Sequence, residues 1–279
     1  MKIREKTWRF LDTGKESALF NMALDEVILR AVSKKESPPT IRLYEWQPEA
    51  ITLGYAQKTD EVIDYELCVN CGVDVTRRLT GGRAVFHGNE IAYSVTSLVN
   101  DRHFGGTISE TYSKISAVLC EGINRLGIRA VLSSGTAFKG KPAANKRALP
   151  CFLSTSKFEI TVDGKKLVGS AQRRFKDTFL QQGSILTGSG YEKIADYMKN
   201  CVQANKEKQL FSDFSINLSA ILNGSFSDKS LKSYLKDAFQ NKLCIELETG
   251  YPTDSELEGA RRLIMERYGL KGWVLNNER

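Results

Sequence analysis

The sequence predicts an α/β (α+β) protein in which a mixed β-sheet is flanked by helices and followed by a small helical C-terminal part. Short segments of strand character recur up to about residue 190, with helical periodicity between some of them, and only helical patterns follow. The chain has 279 residues, of which 41% are hydrophobic and 26% charged. It is therefore long enough to bury a substantial core.

The first predicted elements are a helix over residues 17–32 and a series of strands. The helix places apolar side chains along one face, namely Phe20, Leu24, Val27/Ile28 and Ala31. It ends before the pair Pro38-Pro39. Strands are then predicted over 40–46 and 50–55, with Pro48 between them, and over 73–78, 83–87 and 91–97. A helix near 60–70 separates the second strand from the third.

The second half of the predicted sheet follows a helix over residues 108–127. A buried stripe is expected along this helix: Ile108, Tyr112, Ile115, Leu119 and Ile123. A short strand at 129–133 follows. Residues 134–150 lack periodicity and contain Gly, Pro, Ala and Lys, as is typical of an exposed loop.

The clearest local signal is a β-hairpin around Asp163-Gly164. "FEITV" shows period-2 alternation, the Asp-Gly pair favours a two-residue turn, and "KKLVGSAQ" returns. Across that turn residue 162 faces 165, and residue 161 faces Lys166. A strand over 178–188 completes the sheet, and helices are predicted over 190–204, 229–238 and 254–268. We expect residues 1–190 to form the catalytic-domain core and 191–279 a helical C-terminal extension packed on the same domain.

Composition excludes several classes of protein. No apolar run is long enough to cross a bilayer, and the first residues lack a secretory apolar region, so we expect a cytoplasmic protein with no membrane partner. The six cysteines are then expected to be free thiols. Cys68 and Cys71 form a lone C-x-x-C without a second ligand pair, and His87 and His103 lack metal spacing, so no metal site is predicted. We expect Cys68 to face inward from a helix, although a redox pair is an alternative.

Positive charge is concentrated in one stretch of the sequence. The net charge is +7, and residues 139–176 contain ten Lys or Arg against Glu159 and Asp163, which gives +8 for the stretch and about −1 for the rest. Such a stretch steers an acidic macromolecule towards it. Nucleic acid is not expected, because the stretch has few aromatic residues and matches no nucleic-acid-binding motif.

The first candidate site is "RRLTGGRAVFH", Arg77 to His87. Gly81-Gly82 serves either as a turn between strands or as a backbone cradle for a ligand. The neighbouring Arg77 and the nearby His87 favour a carbonyl or phosphate group held against backbone N–H groups. His87 is equally compatible with a satisfied strand histidine.

The second candidate site is Cys151 with the hairpin that follows it. A thiol is a good acyl acceptor only as the thiolate, which a nearby cation favours. The return strand carries Lys165 and Lys166, and a contact between Lys166 and Cys151 requires residues 151–156 to curl over the sheet. From residue type alone, a structural role for Cys151 remains open.

Several motifs together resemble the lipoate–biotin protein ligase superfamily over most of residues 7–190. They are "NMALDE", "RRLTGGRAVFHGNEIAYSV", and "DGKKLVGSAQRR" followed by "LQQGSIL". The resemblance implies the biotin/lipoate ligase catalytic-domain fold. Within the superfamily, "CFLSTSKFE" and "GKKLVGSAQ" are similar to the cysteine-dependent octanoyltransferases of the Gram-positive type, whereas lipoate ligases generally lack this cysteine.

The resemblance also implies roles for individual residues. Cys151 matches the nucleophile that carries the octanoyl group as a thioester, and Lys166 matches the lysine that favours the thiolate and shuttles its proton. Gly81, Gly82 and His87 match the acyl-binding strip. Substrate binding is also expected at Arg77, and at Gly169 and Ser170, whose backbone N–H groups are candidates to hold the developing oxyanion.

The implied reaction moves octanoyl from octanoyl-acyl carrier protein to a lysine of a lipoyl-carrier domain. Acceptors of this kind are the glycine-cleavage H protein and the E2 subunits of 2-oxoacid dehydrogenases. No cofactor is expected, because the thioester already supplies the activation.

Three alternatives remain: an ATP-dependent lipoate–protein ligase whose loop 134–150 grips triphosphate, an amidotransferase between lipoyl domains, and a binding module without chemistry. The roughly 90 residues after Leu186 leave little room for the accessory domain of large lipoate ligases. Gln182 departs from the family, in which histidine is common at this position.

Overall fold

The computed structural model describes residues 7–133, 135, 158–199 and 204–276. The predicted loop 134–150 and Cys151 lie outside these residues, apart from Gly135. Across the described ranges, no helix combines the length and the apolar character needed to span a membrane.

Strands and helices are interspersed along the chain. The strands are β1 (Thr7–Glu16), β2 (Thr40–Trp46), β3 (Ala50–Leu53), β4 (Asp74–Arg77), β5 (Val85–His87), β6 (Glu90–Leu98), β7 (Val131–Leu132), β8 (Ile160–Val162), β9 (Lys165–Arg174), β10 (Thr178–Leu186) and β11 (Glu246–Gly250). The helices are α1 (Ala18–Ser33), α2 (Thr59–Val62), α3 (Tyr65–Asn70), α4 (Ile108–Asn124), α5 (Ile194–Tyr197), α6 (Ala204–Phe214), α7 (Leu218–Leu222), α8 (Asp228–Leu243), α9 (Asp254–Leu263) and α10 (Lys271–Asn276). A 3₁₀ helix (Tyr191–Lys193) precedes α5, and a π-helical turn (Ile264–Tyr268) follows α9.

The predicted mixed sheet is confirmed. Within the described residues, eight strands form one sheet in the order β11-β1-β2-β6-β10-β9-β8-β7, and three form a second in the order β4-β3-β5. In the eight-stranded sheet, β1 runs parallel to both of its neighbours, whereas all the pairs from β2 to β7 in the strand order are antiparallel. The sheet is flanked by helices on both faces, so the fold class is the one that the sequence predicts.

Alternation along the central strand β6 separates the two faces of the large sheet. Ile91, Tyr93 and Val95 belong to the core cluster that includes α4 and α8. Ala92, between them, belongs to the cluster that includes α1 and α9. This is the period-2 pattern of a strand buried on both sides. We call these the α4 face and the α1 face.

The first helix buries only part of the predicted apolar face: Leu24 and Ile28 are buried as predicted, and the rest differs. Phe20, Val27 and Ala31 are only partly buried, whereas the polar residues Asn21 and Asp25 are at most 1% exposed. The apolar periodicity missed this face because polar side chains on α1 turn inward to partners on the sheet. Polar groups are stable in such a place only when hydrogen-bonded.

Other local predictions are confirmed or corrected by the structure. The hairpin turn is confirmed: Asp163 and Gly164 both have positive φ, as the two-residue turn with the right twist requires. Ile108 was wrongly assigned to the buried stripe; as the first residue of α4 it is 57% exposed. The helix predicted over 190–204 is replaced by the 3₁₀ helix, α5 and the start of α6, with residues 200–203 outside the described part.

Strand β11 was not predicted. It lies at the edge of the large sheet beside β1, where Glu246 and Glu248 are exposed and Leu247 is buried. Charged side chains are common on such edges because they discourage further pairing. Its single buried apolar residue gave too little alternation for a sequence-based prediction.

The pair between Arg9 of β1 and Glu256 of α9 makes the stability of this edge sensitive to acid. Arg9 donates two hydrogen bonds of 2.8 and 2.7 Å to Glu256, and both residues are buried. Burial raises the pKa of Glu256, but the hydrogen bonds and charge of Arg9 outweigh it and hold the pKa below its ordinary value. The stabilisation is therefore complete above pH 4.5 and is lost as the pH falls through the lowered pKa.

We expect Glu256→Gln to be less stable than the parent near neutral pH and to lose less stability on acidification. Unfolding midpoints measured between pH 7 and pH 3 check this expectation. Parallel curves for the two proteins would contradict it.

Candidate active site

The register of the hairpin places Lys166 on the α1 face of the sheet. Thr161 pairs with Lys166, as the turn predicts, but the next pair is Ile160 with Val168, so β9 contains one extra residue. Directly paired residues share a face, and the bulge therefore puts Lys166 and Val168 on opposite faces. Val168 belongs to the α4 core. Lys166 thus shares the α1 face with Gly169, the residue after Val168.

Lys166 forms a buried ion pair. Its Nζ lies 2.6 Å from Oε1 of Glu159, and the two side chains are 1% and 4% exposed. The other carboxylate oxygen, Oε2, is buried and has no hydrogen-bond partner within the described residues. The backbone of Lys166 is also held, since its carbonyl accepts a 2.9 Å hydrogen bond from Ile216 N.

Arg78 holds the glycine-rich loop between β4 and β5 from inside. Its Nη2 donates 2.8 Å hydrogen bonds to the carbonyls of Gly81 and Arg83, and its Nη1 donates to Thr52 O at 3.0 Å. Gly82 has a φ of 95°. The amide N–H groups of Gly81 and Gly82 donate no backbone hydrogen bond within the described residues.

The loop also approaches another backbone segment closely. A Cβ on Gly54 would lie 2.0 Å from Gly82 O, so only glycine fits at residue 54. The sequence left a turn and a cradle open for Gly81-Gly82. The structure shows a loop that is held by Arg78 and packed against Gly54.

Arg77 points away from this loop and joins distant backbone segments. Its guanidinium is fully buried. It donates to five carbonyl oxygens and one hydroxyl: Gly54, Tyr55, Gln57, Trp273 and Val274, and Thr59 Oγ1. Burial lowers the pKa of Arg77 from its ordinary value. The side chain therefore anchors α10 to the segment after β3.

A mainly apolar pocket lies on the α1 face. Its volume is about 430 Å³, a figure that includes the part open to solvent. The lining residues come from α1, β2, β3, β9, β10 and the segment from β4 to β5: Met22, Tyr44, Trp46, Thr52, Arg78, Val85, His87, Gly169, Ser170, Ala171, Gln182, Gly183 and Ser184.

Three of the residues predicted to bind substrate line this pocket: His87, Gly169 and Ser170. Arg77, Gly81, Gly82 and Lys166 are not among its lining residues. The structure brings Lys166 onto the same face through β9, and Cys151 lies outside the described residues.

His87 forms part of the pocket wall, and both of its ring nitrogens have partners. Nδ1 lies 2.7 Å from Glu90 Oε1, which also accepts hydrogen bonds from Trp46 Nε1 and Ser184 Oγ. Nε2 lies 2.7 Å from Thr52 Oγ1. The Trp46 ring stacks on the imidazole with centroids 4.0 Å apart. These contacts fix the ring as a wall rather than as a proton donor to a ligand.

Gly183 makes room where three strands meet beneath the pocket. It pairs with Tyr93 on one side and Ser170 on the other. A Cβ here would lie 2.5 Å from Tyr93 Cε1 and 2.6 Å from Gly169 O. Ser170 Oγ is hydrogen-bonded to the Tyr93 hydroxyl at 2.6 Å, so the Ser170 side chain turns to the α4 face while its backbone borders the pocket.

The sequence reasoning missed a polar network at the far end of the pocket. Asp25 accepts hydrogen bonds from Arg42 Nη1 at 2.9 Å, Ser94 Oγ at 2.8 Å and Gln182 Nε2 at 2.7 Å. Gln182 Oε1 accepts from Thr80 Oγ1 at 2.9 Å. The polar residues of "NMALDE", which interrupt the apolar face of α1, were the available signal.

No cluster of three or more His, Cys, Asp or Glu side chains in the described residues has a metal-binding arrangement. Cys68 is buried, as predicted, and burial raises its pKa to about 12. Cys71 is exposed, and neither forms a disulfide.

Comparison with known proteins gives a consistent picture. The family model described as "Lipoyl protein ligase A/B catalytic domain" matches residues 17–240. Octanoyltransferase LipM of Kyrpidia tusciae is 36% identical over 270 residues, which cover 96% of this chain and 98% of that protein. Octanoyltransferase LipM of Bacillus subtilis is 33% identical over 277 residues, with 97% and 99% covered.

Solved structures show the same fold at lower identity. A bipartite lipoate protein ligase from Thermoplasma acidophilum superposes with a TM-score of 0.80 at 20% identity, covering 98% of both chains. A lipoate-protein ligase A bound with ATP superposes with a TM-score of 0.75, also at 20% identity, covering 98% of this chain and 99% of that one.

Proposed function

The chain belongs to the lipoyl protein ligase A/B catalytic domain family, and from that premise we propose that it moves an octanoyl group from octanoyl-acyl carrier protein to a lysine of a lipoyl-carrier domain. The chain is an octanoyltransferase of protein lipoylation, in keeping with the relatives named Octanoyltransferase LipM along nearly its whole length. We further propose that the octanoyl group is carried as a thioester on Cys151 between donor and acceptor, and that the reaction takes place in the cytoplasm.

The first step forms the enzyme thioester. The Cys151 thiolate attacks the carbonyl carbon of the octanoyl thioester, and the bond from that carbon to the carrier sulfur breaks. Lys166 takes the thiol proton and gives it to the departing carrier sulfur. The products are octanoyl-enzyme and free carrier thiol.

The second step forms the amide. The uncharged amine of the acceptor lysine attacks the octanoyl-enzyme, and the Cys151 sulfur leaves. The proton lost by the amine passes through Lys166 to that sulfur. Acceptors of this kind are the glycine-cleavage H protein and the E2 subunits of 2-oxoacid dehydrogenases.

The pocket supports this chemistry by its lining and by its place on β9. Along that strand Lys166 comes first, Gly169 and Ala171 follow on the same face, and the last two line the pocket. An acyl chain whose carbonyl lies near Lys166 would therefore extend along Gly169 into the pocket. Burying an apolar chain contributes roughly 0.8 kcal/mol per methylene group.

Backbone amides are available for the charge that develops on the carbonyl oxygen. We propose the N–H groups of Gly81 and Gly82, which have no backbone acceptor in the described part of the chain, as oxyanion donors, with Gly169 and Ser170 as the second pair. One such donor contributes about 3 kcal/mol in other acyl-transfer enzymes.

The single observation that carries the proposal is the buried Lys166 on the α1 face. Cys151 precedes this lysine in the sequence, and the lysine shares its face of the sheet with the pocket residues Gly169 and Ala171. Most lysine side chains lie at the surface, so a lysine amine buried to this degree fits a role in proton transfer.

Intact-mass measurement after mixing the protein with octanoyl-acyl carrier protein tests the proposal. We expect a mass increase of one octanoyl group without ATP, and its disappearance when a lipoyl-carrier domain is added. A protein that stays unmodified, yet lipoylates the carrier domain from free lipoate and ATP, would instead be a lipoate ligase.

A further inference from the structure

We infer that Glu159 is a positioning residue for acyl transfer and acts by holding the Lys166 ammonium. The inference rests on the proposed function, because it concerns the proton carried by Lys166. It starts from the 2.6 Å contact between Glu159 Oε1 and Lys166 Nζ, two atoms that are shielded from water. Lysine and glutamate side chains are almost never fully buried unless they are paired.

The hairpin is built so that these two side chains meet. A regular pairing would place Lys166 on the same face as Val168, towards the apolar α4 core. The extra residue in β9 turns it to the opposite face, on which Glu159 precedes β8. The bulge is therefore what brings the Lys166 side chain to the face on which Glu159 lies.

The backbone before β8 also fixes the position of Glu159. Phe158 has a φ of 67°, a left-handed conformation that is rare for a bulky residue and needs support from its surroundings. Ser133 supplies that support: Phe158 N donates to Ser133 O at 2.8 Å, and Ser133 N donates to Glu159 O at 2.7 Å. Strained backbone of this kind is concentrated at functional sites.

Of the two adjacent lysines, only Lys166 contacts the Glu159 carboxylate within the described residues. The neighbouring Lys165 donates to Ser212 O at 2.7 Å instead. Glu159 Oε2 has no hydrogen-bond partner among the described residues, so Lys166 supplies the positive charge that faces this carboxylate there. The contact occupies one of the three N–H donors of the ammonium and fixes the direction of the others. In the proposed reaction, this anchoring orients the ammonium for proton transfer.

Glu159→Gln tests this role, since the amide keeps the shape of the side chain and removes its charge. The measurement is the single-turnover rate of octanoyl-enzyme formation at a series of octanoyl-acyl carrier protein concentrations, followed by intact mass. We expect the maximal rate to fall by about 100-fold, with a half-saturating concentration that changes by less than about twofold. Glu256→Gln, which removes an equally buried carboxylate from its pair with Arg9, is the matched control and should acylate at the rate of the parent.

A double variant separates positioning from general structural damage. If Glu159 acts through Lys166, Lys166→Met with Glu159→Gln should acylate no more slowly than Lys166→Met alone. The double variant should also unfold at a higher temperature than Lys166→Met, because it no longer buries an unpaired carboxylate. The thermal comparison tests the ion pair and the acylation comparison tests the positioning role, and both remain measurable even if Glu159→Gln alone does not fold.

Acylation by Glu159→Gln within about threefold of the parent, losses that add in the double variant, or no thermal recovery would each overturn the inference. The proposed function fails separately, when the parent itself is not acylated by octanoyl-acyl carrier protein. A parent that is acylated, with a Glu159→Gln variant that equals it, refutes only the role of Glu159.

Discussion

Replacing Cys151 by alanine is expected to abolish the octanoyl-enzyme and to lower octanoyl transfer to the carrier domain by at least about 1,000-fold. The proposed reaction passes through a covalent bond to this sulfur, and removal of the nucleophile from other acyl-transfer enzymes costs 10³-fold or far more. Intact mass reports the first step, and the mass of the carrier domain reports the complete reaction.

Two other cysteines provide the matched controls for this substitution. Cys71 and Cys244 are exposed free thiols, so adventitious acylation would be found there. Cys71→Ala and Cys244→Ala should behave like the parent. A Cys151→Ala protein that still gains an octanoyl group, or still modifies the carrier domain at the parent rate, would refute the thioester on Cys151.

The second large effect is expected for Arg77→Met, which should lower the free energy of unfolding by about 4 kcal/mol or more. The substitution leaves three buried and two partly buried carbonyl oxygens without the donor that they share, and each unsatisfied buried group costs about 1–3 kcal/mol before the structure relaxes. Urea unfolding measures the loss, and hydrogen exchange should show faster opening of α10, whose carbonyls at residues 273 and 274 lose their partner.

This substitution also decides between two roles for Arg77. The sequence predicted a substrate-binding residue, whereas the structure occupies all of its donors with the protein itself. Arg78→Met is the comparison, since Arg78 lines the pocket and also holds the glycine-rich loop, so its loss should lower both acylation and stability. An Arg77→Met protein that remains stable within about 1 kcal/mol, but needs more octanoyl donor, would favour the substrate role.

Local signals predicted the hairpin correctly down to its register. The two-residue hairpin turn requires a positive φ at both of its central residues, and Asp-Gly is one of the few residue pairs that readily adopt it. The pairing of residue 161 with Lys166 followed directly from it. The partner of Lys166 did not follow, because the bulge that exposes it to Glu159 depends on the alignment of β8 with the whole of β9.

Long-range polar contacts limited the prediction of the site. Hydrophobic periodicity ranks Asn21 and Asp25 as solvent-facing, and only their partners Arg42 and Gln182 make burial favourable. The two arginines at residues 77 and 78 look equivalent in sequence. Because side chains alternate along β4 and the residue after it, Arg77 points to α10 and Arg78 to the pocket. Predicting which arginine does which requires the position of α10, almost 200 residues further along the chain.

The placement of β1 between β2 and β11 has a consequence during synthesis. The ion pair of Arg9 joins residues 247 positions apart, and the strand pairing begins with Thr7 opposite Glu246. At typical ribosomal speeds the N-terminal strand waits roughly 12–50 s for its second neighbour. A nascent chain therefore carries an open strand edge through most of its translation, and unpaired edges of this kind are prone to aggregation.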